Sequence, residues 1–246
     1  HPGNSQRLVA LNADIGVGYA KGFPEDADTD ADADSDADFD FDNEIENYDD
    51  EVSVEGTQTN DLIENYGDDA TIDAGAGNDY ILNGKASDTT VTATNTTIDG
   101  GEGKDKIYNY VESVSIDAGA GNDTITNEGS NVSIGGGAGV DSISNNGSNV
   151  TINGGAGIDR IRNNGSSVTI GGGASDDYIL NWGRNTTIDG GDGRDFITGS
   201  GDNNSINGGA GNDTISLGSN SKNALIVYNL GEGNDTIYGF NNSSSL

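Results

Sequence analysis

The chain has 246 residues, of which 40 are glycine, none is cysteine or methionine, and 31% are hydrophobic. That is too little apolar material for an ordinary globular core of this length, and a formal net charge of −32 would by itself indicate disorder. Nucleic acid and anionic membrane are poor partners for such a chain, no apolar run approaches the ~20 residues of a membrane span, and a divalent cation is the natural counterpart of the acid.

Residues 1–24 contain a short apolar piece, Leu8 to Leu11, followed by Ile15-Gly-Val-Gly-Tyr19. It reads as a strand covering the first turn of the repeat region or as a linker, and both readings stay open. The chain starts at His1 without a recognisable signal peptide, which fits a mature product or a fragment of a longer protein. Residues 25–42, EDADTDADADSDADFDFD, are a like-charge block. Such blocks are usually solvated linkers. An EF-hand is a poor match because no starting Asp is followed by Gly at the sixth position and Glu at the twelfth. Weak ion binding or an extra turn is the alternative.

From residue 43 to 240 the chain repeats with a period of 18, the two halves being unlike nonapeptides. Worn copies come first: Glu46-Asn-Tyr-Asp-Asp-Glu-Val-Ser-Val54 recurs as Glu64-Asn-Tyr-Gly-Asp-Asp-Ala-Thr-Ile72, and Asp61 lies 18 before Asp79 in a loop, GTQTND, that keeps one glycine. An insertion of eight residues around Lys85 to Thr94 separates Asp79 from Asp105 and should form a surface excursion. Strict register then runs through Asp105, Asp123, Asp141, Asp159, Asp177, Asp195 and Asp213. The next step, to Asp235, is 22, which places a four-residue insertion near Ser219 to Asn223. Residues 241–246 are a short tail.

The first nonapeptide, as in GGAGVDSIS, GGAGIDRIR and GGAGNDTIS, has the form G-G-x-G-x-D-x-U-x with U a large apolar residue. It resembles the RTX (haemolysin-type calcium-binding) repeat over roughly residues 39–240. The resemblance implies an all-β fold, a parallel β-roll or β-solenoid of 18-residue turns with Ca²⁺ between its loops, in a secreted or cell-surface bacterial protein. The absence of cysteine fits that compartment.

The residues argue the same chemistry. Glycine supplies positive φ and lets backbone carbonyls converge without Cβ interference. The Asp closes the loop, and the Ile two residues on points into the core as strand periodicity demands. Stacked coils lie ~4.8 Å apart, so carboxylates and carbonyls of two coils share a gap suited to Ca²⁺, which takes six to eight oxygens in flexible geometry. Mg²⁺ keeps its waters and should compete badly, and the loops lack the His or Cys that zinc or copper prefer. The expected ligands are Asp79, Asp105, Asp123, Asp141, Asp159, Asp177, Asp195, Asp213 and Asp235, with backbone carbonyls around Gly75, Gly77, Gly101, Gly103, Gly119, Gly121, Gly137, Gly139, Gly155, Gly157, Gly173, Gly191, Gly193, Gly209, Gly211, Gly231 and Gly233. Ser175 replaces the last loop glycine beside Asp177 and should weaken that site. A turn-only role would explain the glycines but not the spacing of the acid.

The second nonapeptide has Val132, Val150, Val168, Thr186 and Asn204 where the first has Asp, and it lacks paired glycines. Calcium is therefore expected as several ions in one column along a single edge, with ion-free Asn/Gly loops on the other. Asn47, Asn65, Asn83, Asn109, Asn127, Asn145, Asn163 and Asn181 recur on that ion-free edge and stop at Gly199. They fit a hydrogen-bonded amide ladder, simple turn tolerance, or both. Two thin rows of isoleucine, Ile107 to Ile215 and Ile98 to Ile206 at 18-residue intervals, form the expected core. At ~1.5–3 kcal/mol per buried aliphatic side chain against ~1–2 kcal/mol per ordered residue, a coil cannot fold on burial alone, so ion binding should contribute folding free energy.

An enzyme is not expected, because His1 is the only histidine and no nucleophile–base–acid set is visible. Arg160, Arg162, Arg184 and Arg194 read as a solvated face or carboxylate partners, and Trp182 as incidental. Ice binding would need a regular Thr array, whereas the residues after the loop aspartates are mixed, from Tyr80 to Thr236. Two readings of different class remain: a calcium-dependent folding module of a larger secreted protein, or a structural subunit whose roll ends stack end to end.

Overall fold

In a computed structural model of the chain the described residues are 8–9, 41–85, 93–219, 221–229 and 231–239. Within each half-repeat, residues alternate between solvent and interior, as in Thr151–Ala156 and Arg160–Asn163. A strand of that length buries about one aliphatic side chain, too few to stand alone, so each packs beside its copy from the next repeat. Arg160 pairs with Tyr178, Ile161 with Ile179 and Asn163 with Asn181, all parallel and offset by one period. The result is an all-β parallel solenoid of about ten coils with two 11-stranded parallel sheets and no helix among the described residues. One sheet, here sheet one, takes the strands that lead into the glycine loops; sheet two takes those that come after the loop Asp. Leu8–Val9 pairs with Val54–Glu55 at the first edge of sheet one. The acidic stretch lies outside the described residues up to residue 40; Phe41 packs edge-on against the Tyr80 ring on the outward side of sheet two.

The interior holds the two isoleucine rows and a third row that fills the ion-free edge, Val114, Val132, Val150 and Val168, all buried. Beside it the asparagines form the expected ladder. Each Nδ2 donates to the Oδ1 of the asparagine one coil on, from Asn47 through Asn181, at 2.6–3.0 Å. The same amides also bond the backbone two residues ahead, as Asn145 does with Gly147, so ladder and turn support coexist. The ladder stops at Gly199, where Cδ1 of Ile206 fills the space a Cβ would occupy.

Two expectations change. The four extra residues before Asp235 are not one insertion: Ser205 pairs with Leu225, an offset of 20, whereas Thr214 pairs with Thr236, an offset of 22. Two residues therefore enter the loop before Leu225 and two more enter between Val227 and Glu232, each pair absorbed at an edge where strand pairing is not broken. The eight-residue insertion does fall between Gly84 and Ala93, and residues 86–92 of it lie outside the described set. Second, a regular hydroxyl row exists on the outward side of sheet one, including Thr71, Thr97, Ser115, Ser133, Thr151, Thr169 and Thr187. The mixed positions after the loop aspartates belong to sheet two and do not bear on this row. Asp73, Asp99, Asp117 and Asp189 stand beside it at four of these coils, and Gly135, Asn153 and Gly171 at the other three.

The ladder makes a testable difference between neighbours. Asn145→Ala removes bonds to Asn127, Gly147 and Asn163 and should lower the unfolding free energy by about 1–3 kcal/mol, because buried partners are left unpaired. The exposed Asn146→Ala should stay within about 0.5 kcal/mol. Urea unfolding of both variants checks this.

Candidate metal centre

The glycine loop is built for close stacking. Gly155 and Gly157 sit at φ +112° and +127°, and a Cβ on either would run into the carbonyl of Gly137 or Gly139 in the preceding coil. Glycine meets both demands without strain. Ser175 occupies the last of these positions at φ +91°, a conformation that strains a side-chain-bearing residue.

The loops bring every aspartate expected from sequence into one column. Asp79, Asp105, Asp123, Asp141, Asp159, Asp177, Asp195 and Asp213 are all buried, the most exposed at 2%. Each uses Oδ1 to accept the backbone N–H of the preceding coil's column aspartate, at 2.7–2.9 Å. In all eight, Oδ2 is buried and receives no hydrogen bond. Such an oxygen is costly when charged. Burial accordingly pushes the carboxyl groups up: Asp105 and Asp177 to about 7, Asp79, Asp123, Asp159 and Asp195 to about 6, and Asp141 and Asp213 in the same direction. Neighbouring carboxylates add to the rise at most of these sites, and the backbone N–H donor opposes it.

These residues fit a hard cation. A Cβ on Gly136 would stand 2.7 Å from Asp141 Oδ2 and directly against the carbonyl oxygen of Gly154 in the next coil. Carboxylate and carbonyl thus converge on space that the first glycine of the doublet leaves open. Gly100, Gly154, Gly172 and Gly190 repeat this arrangement toward their own loop aspartates, and Gly208 repeats its carboxylate half. These first glycines were missing from the ligand set expected from sequence, although the GG doublet was the signal for them. No three Asp, Glu, His or Cys side chains group together among the described residues, so an ion here would depend on backbone oxygens as well as carboxylates. Ca²⁺, with its high and flexible oxygen coordination, suits that donor set.

The column also contains its own control. Asp61 is as buried as the others, yet both its oxygens have protein donors: Asn43 Nδ2 at 2.7 Å on Oδ1, and Thr57 N at 2.6 Å with Thr57 Oγ1 at 3.0 Å on Oδ2. The loop that keeps only its first glycine has gained donors, and neither Asp61 oxygen is left without one. At the far end, Asp235 is only half buried, and its Oδ1 accepts Asp213 N at 3.1 Å. On the other edge, Val132, Val150 and Val168 are buried in the equivalent place, and Asn204 donates to the Gly183 and Gly201 carbonyls. None of these buried positions carries a carboxylate, and the acids of that edge, such as Asp50, Asp68 and Asp202, lie in its outer loops.

The model of the RTX calcium-binding nonapeptide repeat matches the chain in four copies, at residues 55–89, 114–134, 183–215 and 229–242. The chain carries RTX repeats. No curated protein matches it. Between the second and third RTX matches the same coil continues unbroken, with Ser133 paired to Thr151 and Thr151 to Thr169, so the repeats form one continuous column.

The raised carboxyl groups set a pH dependence. In the folded chain they hold protons that the unfolded chain, with aspartate near 3.8, releases. Without a divalent cation, stability should be greatest below about pH 4 and be lost as pH rises through about 6–7. Thermal melts in chelator across that range check the sign; a melting temperature that climbs with pH would contradict it.

Proposed function

We propose that the chain is an extracellular calcium-binding β-roll module, a structural rather than catalytic part of a secreted or surface protein of a bacterium, which folds when Ca²⁺ binds. The observation that carries this reading is the run of eight buried aspartate oxygens without a hydrogen-bond donor, in register with RTX repeats. Asp79, Asp105, Asp123, Asp141, Asp159, Asp177, Asp195 and Asp213 are the carboxylate ligands, with Asp235 at the end of the column and loop-glycine carbonyls completing the shell. The ions line one edge only.

The physical logic is a coupled equilibrium. Folding brings carboxylates to ~4.8 Å spacing in a site closed to water, which is unfavourable while they remain charged and uncompensated. An ion between coils removes that penalty and supplies positive charge to two coils at once. Binding free energy is then folding free energy, as in other small metal-dependent domains. Where free calcium is scarce the chain stays unfolded; where it is plentiful the roll forms. Residues 43–240 are the folding unit on this reading.

A second reading is favoured by the last coil. Leu225, Val227 and Tyr238 are exposed there, and Leu225–Val227 and Thr236–Tyr238 are the last described strands of their sheets. An open edge with apolar side chains invites pairing with another roll, giving a self-assembling subunit.

Calcium titration of chelated protein, followed by far-ultraviolet circular dichroism and light scattering, tests both. The expected result is a cooperative coil-to-β transition that magnesium does not produce, with scattering at monomer size for the module and large particles for the assembly. A chelated protein already fully β would sink ion-driven folding. Asp159→Asn, which removes an ionic ligand worth about 1.5–3 kcal/mol, should raise the calcium midpoint roughly tenfold or more. Asp61→Asn should leave it unchanged.

A further inference from the structure

The outward face of sheet two differs from the rest of this acidic chain. From the Tyr80 strand to the Tyr238 strand, neither of its two outward rows contains a carboxylate, although the chain has 42 acidic residues. Those rows carry Lys106 and the neighbouring pair Arg160 and Arg162 instead. The Arg160 guanidinium lies 5.1 Å above the Tyr178 ring, and that ring stacks on Phe196 with centroids 4.7 Å apart and planes 8° from parallel. Trp182, the single tryptophan, is 50% exposed at the edge of the same patch. Two neighbouring arginines, one of them over a stacked aromatic pair, present paired donors suited to carboxylates.

The chain itself carries the complementary sequence. Every even position from Asp26 to Asp42 is aspartate, and the odd positions between are Ala, Thr, Ser or Phe. Extended, such a segment puts all its carboxylates on one side, about 6.7 Å apart. It ends where Phe41 packs on Tyr80, on the face in question. Lys106 is one coil further along and Arg160 four coils, or ~5 and ~19 Å at normal strand spacing. The ~14 Å between those cations is close to the ~13 Å between aspartates four residues apart, so Asp40 and Asp36 fall opposite Lys106 and the Arg160–Arg162 pair. The 31 residues between Val9 and Phe41 span that path and return to the first coil with length to spare.

We propose that the last part of the acidic segment, residues 34–40, docks in extended form along the cationic, aromatic face of sheet two in its own chain, held by Lys106, Arg160 and Arg162. The interaction is electrostatic and surface-exposed, so it weakens with salt. It needs the folded roll, because the cations come from separate coils, and is otherwise independent of how the ions are bound.

The test uses the full chain in saturating calcium, with circular dichroism confirming that each variant keeps its β-structure. An aspartate-specific endoproteinase has four sites from Asp34 to Asp40. Cleavage there should be slow in the parent chain and at least roughly tenfold faster in the double variant Arg160→Glu with Arg162→Glu, the effect of losing about 1.4 kcal/mol or more of docking free energy. Quenching of Trp182 fluorescence by acrylamide should rise in the same variant. Replacing Asp34, Asp36 and Asp38 with Asn leaves the roll untouched and should reproduce the quenching change. Equal cleavage and equal quenching in all chains would overturn the proposal. So would protection that grows with protein concentration, which would assign the segment to a neighbouring copy, or quenching relieved only by an added polyanionic glycan, which would make the face a sugar site.

Discussion

One buried aspartate per coil, with one oxygen bonded to the preceding coil and the other bonded to nothing, is the constraint on which the remaining structure depends. A carboxylate accepts hydrogen bonds and donates none when charged. A stack of carboxylates therefore cannot satisfy itself, however regular its geometry, and must import positive charge or protons. The glycine loops, the parallel register and the single isoleucine per strand are all consistent with a fold completed from outside.

The opposite edge shows what happens when the stacked side chain is an amide. Asparagine has both donors and an acceptor, so each member of the column bonds the next and nothing is left over until Gly199 interrupts it. Two columns with the same spacing, on two edges of the same coil, thus differ in whether the side chain can donate. The same rule operates within the aspartate column at Asp61. There an asparagine amide and a threonine take the place that an ion would hold. Loss of glycine and gain of donors occur together in this first loop.

The outward faces are separated in a comparable way. Sheet one carries hydroxyls and aspartates, whereas sheet two from the Tyr80 strand onward carries basic and aromatic side chains and no outward carboxylate. Strand alternation makes this possible, since inward positions are fixed by packing while outward ones are free to differ between the two sheets. A net charge of −32 therefore does not describe every surface of the molecule.

The period, the parallel coil, the isoleucine rows and the position of the aspartate column were readable from the sequence, because a repeat of 18 with one acid and two apolar positions per period permits few arrangements. The weak first loop was readable too, from its missing glycines. Three things required the tertiary structure. The orphaned Oδ2 depends on where the other oxygen points, and that is set by the backbone of a residue 18 positions away. The division of the four-residue insertion between two edges is a consequence of strand pairing, which tolerates extra residues only in the loops. The carboxylate-free face appears only when residues one period apart are laid side by side, so that Arg160 meets Tyr178 and Tyr178 meets Phe196. Sequence spacing determined which residues share a column; the fold decided which atoms within that column are left without a partner.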